Sequence, residues 1–198
     1  LALQSTDLAE RYTATGMRLA ERRGDAARMA MFERLRGNCF CQRGEYDKSN
    51  YYLLEAIETL GRLPNPDSFR LQLAGAYYDF GRVCRQRQDY AGACSHYKKA
   101  LALIGEEGRC PGTVWICVHY GRAAFALEDH VGARSMFRRG YELGELSGEP
   151  YGLTAAAAYA AWYEMEEENY DRAARALAMA REVNARLGAP LEEGILCF

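Results

Sequence analysis

The stretch that decides the fold is GRVCRQRQDYAGACSHYKKALAL, residues 81–103. It holds small and aromatic residues at regular spacings, at Gly81, Tyr90, Ala93, Tyr97 and Ala100. Small residues at helical spacings let two helices approach closely. Near the middle of the stretch Asp89 precedes Tyr90, and an aspartate in this place is typical of the residue that caps the start of a new helix. The stretch therefore predicts two helices packed against each other.

The same pattern recurs along the chain. Gly37–Tyr46 aligns without gaps with Gly81–Tyr90, and two later copies begin at Gly121 and Ala161. A small residue closes each copy, in steps of 44, 40 and 40 residues, at Ala56, Ala100, Gly140 and Ala180, and a weaker copy closes at Gly16. A fixed period of this kind is typical of repeat architectures, in which a helix pair buries its apolar face only by stacking on the next pair.

The repeats predict an all-α solenoid of antiparallel helix pairs, with about nine helices. We expect a leading helix at 4–23, followed by helix pairs at 26–43 with 47–62, 68–87 with 90–105, 112–127 with 130–147, and 151–167 with 170–187. Residues 191–198 would begin a further repeat. The whole of 1–198 is thus expected to be one repeat domain, cut from a longer protein.

Turn residues and prolines fit these boundaries. Asp89, Asp129 and Asn169 precede the second helices, where a side-chain oxygen can cap a helix start, and Glu45 is a weaker cap. The next position holds an aromatic residue, or once His130, which is expected to fill the gap between helices as a packed side chain. The prolines fall ten or eleven residues after the closing small residues and outside the predicted helices, at Pro66, Pro111, Pro150 and Pro190.

Composition excludes several classes of function. The 25 Lys and Arg residues against 27 Asp and Glu residues give a net charge of −2, so no basic field would attract nucleic acid or an anionic membrane. The least polar stretch, 153–163, is about half of the ~20 residues that a membrane-spanning helix needs. The seven cysteines are irregularly spaced, which argues against a disulfide framework or a zinc site and predicts thiols in a cytoplasmic protein.

No pattern for catalysis or for a cofactor is present. The sequence lacks the phosphate-cradling, dinucleotide-binding and nucleophile-elbow motifs. His96, His119 and His130 do not have the spacing of metal ligands. The glycine-rich segment 105–112 is interpreted as a loop between repeats, and the acidic run Glu164 to Glu168 as a solvated helix end. We therefore expect no enzymatic activity and no cofactor.

Residues 81–103 resemble the tetratricopeptide repeat family, and the resemblance covers nearly the whole chain. Cys84 stands where that family usually has an aromatic residue. The period of about 40 residues exceeds the usual ~34, and is similar to the longer repeats of bacterial signal-responsive transcription regulators. The resemblance implies a right-handed superhelix whose first helices line a concave groove.

The resemblance also places the second, fifth, ninth and twelfth positions of each first helix on that groove. The candidate ligand-binding residues among these are Arg34, Asn38, Tyr78, Arg82, Arg85, Trp115, Arg122, Phe125 and Trp162. Arginine pairs with carboxylates through two hydrogen bonds, and large aromatic side chains are common binding anchors. The alternative, that Trp115 and Trp162 only pack between neighbouring helices, stays open.

These residues predict a non-catalytic module that binds a protein or peptide, with acidic or carboxylate-ended chains as the fitting class. The resemblance suggests the sensor or protein-contact domain of a bacterial transcription regulator, without direct contact to nucleic acid or membrane. Two alternatives stay open: a sensor for a small sugar-like effector, and an assembly scaffold without a soluble ligand. Uncapped ends of the helical stack are expected to allow self-association.

Overall fold

A computed structural model describes residues 2–105, 111–147 and 150–187. Within these ranges the chain forms α-helices and one short 3-10 turn, and no strand. The helices are α1 (Ala2–Arg23), α2 (Ala26–Gln42), α3 (Tyr46–Gly61), α4 (Arg70–Gln86), α5 (Tyr90–Ile104), α6 (Pro111–Ala126), α7 (His130–Ser147), α8 (Pro150–Glu166) and α9 (Tyr170–Leu187). The predicted further repeat at 191–198 and most of the 105–112 link lie outside the described residues.

Prolines begin the helices that follow the longer links. The 3-10 turn Pro66–Phe69 precedes α4, so this helix begins at Arg70 and not at the predicted residue 68. The helices α6 and α8 begin at Pro111 and Pro150. Proline suits the first helical position because its fixed φ is already helical and its missing N–H has no intrahelical partner there.

Short turns join the two helices of each repeat. Asp89 Oδ1 accepts a hydrogen bond from the Gly92 N–H, and Asp129 Oδ1 accepts one from the Gly132 N–H, both at 2.9 Å, which confirms the caps predicted at these two residues. Glu45 makes no such bond. The turn residue before each cap has a positive φ, at Gly44 (76°), Gln88 (64°), Glu128 (62°) and Glu168 (59°). Only the first of these is glycine, so the other three turns hold a backbone conformation that side chains disfavour.

Glycines in the first helices allow the second helices to approach. Gly37 lies against the side chain of Leu53, where an added Cβ would be 2.8 Å from Cγ. Ser49, one turn before Leu53, donates a hydrogen bond of 2.8 Å to the carbonyl oxygen of Gly37. Further along, Phe40 stacks on Tyr52 at 5.5 Å between ring centroids. Earlier on α2, Glu33 accepts a hydrogen bond of 3.4 Å from Thr59, which lies ten residues after Ser49 on α3, so the two helices are antiparallel.

The chain divides into two compact units, Leu1–Ile104 (unit 1) and Gly105–Phe198 (unit 2), each described by itself. In unit 1, α1 packs on α2, α2 on α3, and α4 on both α3 and α5. Ala30, Ala56 and Leu60 form a buried cluster there. In unit 2, α6, α7, α8 and α9 pack in sequence, and α6 also contacts α8. The single repeat domain over 1–198 stays a prediction.

Three further features bear on the sequence predictions. Cys39, Cys41, Cys84 and Cys117 are thiols in the structure, not disulfides. Among the described helices, none combines the length and apolar character needed to cross a bilayer. The helix pairs agree with the all-α class predicted from the repeats.

Candidate functional site

The predicted binding residues divide between the two units. The first helices of unit 1, α2 and α4, carry Arg34, Asn38, Tyr78, Arg82 and Arg85. The first helices of unit 2, α6 and α8, carry Trp115, Arg122, Phe125 and Trp162. We call the side formed by α2 and α4 the unit 1 face, and the side formed by α6 and α8 the unit 2 face.

On the unit 1 face, three predicted residues converge on a carboxylate that the sequence did not single out. Asn38 Nδ2 donates a hydrogen bond of 2.8 Å to Asp79 Oδ2, and Arg34 Nε lies 3.1 Å from the same oxygen. Arg82 Nη1 lies 3.4 Å from Asp79 Oδ1. Asp79 is only 3% exposed. These four side chains, the Asp79 cluster, join α2 to α4.

Local helix geometry explains the convergence. Arg34 and Asn38 are four residues apart on α2 and therefore lie on one side of that helix. Asp79 and Arg82 are three residues apart on α4 and also share a side. The Arg34 guanidinium rests against Gly75, where an added Cβ would be 2.4 Å from Nη1. A glycine at this position therefore makes room for Arg34 beside α4.

Burial governs the electrostatics of the unit 1 face. Burial raises the pKa of Asp79, while the Arg34 charge and the hydrogen bond from Asn38 act in the opposite direction. Burial also raises the pKa of Tyr78 to about 12, so its hydroxyl stays a neutral donor. The Arg82 guanidinium lies 5.8 Å from the centre of the Tyr78 ring. Arg85 interacts with the buried Tyr97 hydroxyl, whose pKa burial also raises.

Asp79 was missed because an acidic residue between two predicted groove positions is no signal by itself. The spacing to Arg82, one turn later on the same helix, does indicate an ion pair within α4. The partners from α2 are 41 and 45 residues away in the chain, at Asn38 and Arg34. Only the packing of α2 beside α4 brings them to Asp79.

The unit 2 face is mainly aromatic. The edge of Phe125 meets Trp162 at 5.1 Å between ring centroids. Trp115 stacks on His119 at 5.9 Å and packs against a buried cluster that includes Val114 and Val118. Trp115 is half-buried against this cluster, to which α6 and α8 both contribute, while Phe125 is exposed.

Arg122 is exposed on α6 and makes no ion pair with any described residue. On the unit 1 face, in contrast, Arg34 and Arg82 are both paired with Asp79. The predicted ladder of arginines therefore contains two chemically different kinds of side chain, one held by an internal carboxylate and one open to solvent.

Two interpretations of polar residues were wrong. His130 was expected to be a packed side chain between helices, but it is exposed, with its ring centroid 5.3 Å from that of Phe125. Glu164 was expected to be solvated, but it is buried and pairs with Arg138 at 2.6 Å. For Glu164, the pairing residue comes from the neighbouring second helix α7. The described residues include no group of three His, Cys, Asp or Glu side chains that could hold a metal ion.

Comparison with known proteins agrees with this repeat geometry. Residues 72–146 match the family model described as Tetratricopeptide repeat. None of the curated proteins matches the chain in sequence.

Several solved structures share the fold at low identity. The apo form of RapI superposes with a TM-score of 0.72 at 16% identity over 89% of this chain, and this chain spans 49% of RapI, about half its length. A Podosopora anserina protein assigned as a kinesin light chain, with nearly identical TPR-like repeats, gives 0.63 at 14% identity, covering 94% of this chain and 96% of that one.

BtubC (BKLC) from P. vanneervenii gives a TM-score of 0.56 at 11% identity, covering 94% of this chain and 93% of that one. At these identities the likeness concerns the fold alone. It supports the predicted class, an all-α helical repeat solenoid. The match over residues 72–146 agrees with the helix pairs α4 with α5 and α6 with α7, so this segment has the pattern of tetratricopeptide repeats.

Proposed function

We propose that this chain is a non-catalytic module that binds a protein or peptide along its first helices. The observation that carries the proposal is the Asp79 cluster, because residues selected by repeat position alone meet there on two neighbouring first helices. The Arg34 and Arg82 side chains each remain 33% exposed, so both keep donors directed to solvent.

The charge of the unit 1 face favours an acidic ligand. Arg34, Arg82 and the adjacent Arg85 provide three guanidinium groups, and Asp79 provides one buried carboxylate. A ligand carboxylate would pair with guanidinium groups whose positions Asp79 already fixes, which lowers the entropy lost on binding. The proposed ligand is a peptide with acidic side chains or a free C-terminal carboxylate.

The unit 2 face carries a positive charge and an apolar surface on different side chains. The exposed Arg122 would attract acidic groups, and the rings of Phe125 and Trp162 would provide apolar anchors. The ring pair also favours a second candidate, a sensor for a small sugar-like effector that stacks on aromatic side chains. The repeat period of about 40 residues supports a narrower proposal, the contact or sensor domain of a cytoplasmic bacterial transcription regulator.

The test uses an array of twelve-residue peptides that differ only in their number of Asp and Glu residues and in a free or amidated C-terminus. We expect binding to increase with acidic content and to weaken as salt rises, because exposed charges are screened. The double variant Arg82→Ala with Arg122→Ala should bind at least about tenfold more weakly, with unchanged helicity by circular dichroism. Arg62→Ala is the control, since Arg62 is an exposed arginine directly after α3 whose ion pair in the described part of the chain is with Glu58.

Three results would contradict the acidic-peptide proposal. Equal binding by the double variant would remove the two arginines from the site. Salt-insensitive binding of a neutral sugar, with a change in tryptophan fluorescence, would favour the effector sensor. Absence of peptide binding together with self-association in sedimentation velocity would favour an assembly scaffold.

A further inference from the structure

A cavity of about 380 Å³ in unit 2 is lined by residues of α7, α8 and α9. Sites for small molecules in proteins have volumes of about 300–1,000 Å³, so this space suits a compact organic molecule. Two buried alanines, Ala160 of α8 and Ala176 of α9, form an apolar part of its lining. We call this space the α7–α9 cavity. None of the residues proposed for the first-helix faces lines it.

A buried carboxylate on this cavity has one oxygen without a partner in the described part of the chain. Glu164 of α8 is 8% exposed, and its Oε1 lies 2.6 Å from Arg138 Nη2 on α7. Its other oxygen, Oε2, is buried and accepts no hydrogen bond from any described residue. A buried carboxylate oxygen without a donor costs free energy, so a donor from a bound molecule would stabilise Glu164.

The repeat shows that a carboxylate at this position is not needed for packing. Glu164 lies three residues after Ala161, at which the last copy of the repeat begins. The residues at the same place in the other first helices are all apolar and buried: Phe40, Cys84 and Ala124. The helix pairs therefore form without a charge there, and the charge on α8 calls for another explanation.

Two arginines of α9 on the cavity also depart from the repeat. Arg172 and Arg175 are three residues apart and therefore lie on one side of the helix. In the two preceding second helices the corresponding residues are small: Gly92 and Gly132 for Arg172, and Ser95 and Ser135 for Arg175. Both arginines are exposed, and neither forms an ion pair with a described residue. Their guanidinium groups are thus available to an anion.

The α7 side of the cavity is acidic. Glu142 and Glu145, three residues apart on α7, both line it. Glu145 Oε1 accepts a hydrogen bond of 3.0 Å from the Tyr141 hydroxyl, and Glu142 pairs with no cation among the described residues. Within the described part of unit 2, no ion pair joins α7 to α9. The cavity therefore has a negative wall and a positive wall that do not neutralise each other directly.

By the repeat, a helix that follows α9 packs on a different side of it. The helix α7 shows which positions of a second helix meet the next first helix: Arg134 and Arg138 pair with α8, and Gly144 lies against Leu153. Forty residues later these positions are held by Ala174, Ala178 and Asn184. None of these three lines the cavity. The cavity uses the side of α9 that is turned to α7.

We propose that the α7–α9 cavity binds a small zwitterion, a free α-amino acid. Its carboxylate pairs with Arg172 and Arg175, and its ammonium group donates to Glu164 Oε2 and faces the carboxylates of α7. The Tyr141 ring and the buried alanines contact its side chain. This site differs from the first-helix faces in position and in ligand, so it does not depend on peptide binding there.

The probes are the standard L-amino acids, and saturation-transfer NMR with the full chain identifies those that bind. The amino acid that binds best is then compared with its N-acetyl form, which lacks the positive charge, and with its amide, which lacks the negative charge. Isothermal titration calorimetry measures the three dissociation constants. We expect both derivatives to bind at least about tenfold more weakly than the amino acid, because each leaves one wall of the cavity without its partner.

Arg175→Ser and Glu164→Ala replace the two charges by residues that other copies of the repeat hold, so both variants should keep their helicity by circular dichroism. Each should bind the amino acid at least about tenfold more weakly, and Arg175→Ser should discriminate less between the amino acid and its amide. Arg181→Ser is the matched control, because Arg181 is exposed on α9 but does not line the cavity.

Three results would overturn the proposal. The first is that none of the standard amino acids binds. The second is that the N-acetyl form binds as tightly as the amino acid, which would make the cavity a site for simple anions. The third is that Arg175→Ser and Glu164→Ala both bind as tightly as Arg181→Ser, which would place the amino acid elsewhere on the chain.

Discussion

The close approach of α4 and α5 can be tested by adding one methyl group. In Gly81→Ala, the new Cβ would lie 2.6 Å from Cε1 and 2.8 Å from Cδ1 of Tyr97. Carbon atoms attract one another at about 3.5–4.0 Å, so this contact is strongly repulsive. Tyr97 is completely buried, so its ring cannot turn out into solvent to relieve the contact. The helices must therefore separate.

The magnitude follows from two opposing effects. Forcing extra volume into a packed core costs about 1–3 kcal/mol. Replacing glycine by alanine inside a helix increases the free energy of unfolding by about 0.5–1 kcal/mol, because alanine favours the helical conformation. We therefore expect Gly81→Ala to lower the free energy of unfolding by about 0.5–2 kcal/mol, the difference between these two effects.

The matched control is Gly61→Ala at the end of α3, also in unit 1, where an added Cβ meets no atom within 4 Å. This variant keeps the gain in helix propensity without the repulsion, so it should be neutral or slightly stabilising. Urea denaturation followed by circular dichroism gives both values, provided that the dependence on urea is unchanged. If Gly81→Ala were as well tolerated as Gly61→Ala, the packing role assigned to this glycine would be refuted.

Two further predictions concern single residues outside the candidate site. Glu128→Gly should stabilise unit 2 by up to about 1 kcal/mol. Glycine removes a left-handed conformation that costs ~1–2 kcal/mol, but part of this gain is lost because glycine also makes the unfolded chain more flexible. A lower urea midpoint for the variant would contradict this prediction. Burial raises the pKa of Cys117 to about 11, so at pH 8 the thiol stays protonated and should be labelled far more slowly than in urea, with a rate that rises with pH. Peptide mapping by mass spectrometry measures this, and equal native and denatured rates would show that Cys117 is accessible.

The helix pairs could be predicted from the sequence because their causes are local. Gly37, Gly81 and Gly121 each precede by sixteen residues the large side chain that packs on them, and the Asp89 and Asp129 caps bond within their own turn. Such short-range relations repeat with the period, so one copy supports the interpretation of the next. The predicted beginning of α4, at residue 68, was two residues early, because the 3-10 turn Pro66–Phe69 precedes the helix.

The predicted binding residues were selected by their position in the repeat. This position indicates the side of the helix on which a residue lies, but not the side chain with which it pairs. Asn38 and Arg34 lie on the side of α2 that meets α4. That they pair with a buried Asp79 could not be read from the spacing, because the free energy of burying a carboxylate depends on the donors that surround it in three dimensions.

By itself, the sequence determined the all-α repeat, the approximate ends of its helices, the caps, and the small residues at which helices approach. Each of these depends on contacts between residues close in the chain or related by the period. Only the tertiary structure decided the environment of the polar side chains: Asp79 and Glu164 are buried and paired, and His130 is exposed. The exposure of a side chain depends on which residues lie opposite it, and these residues come from helices that are distant in the sequence.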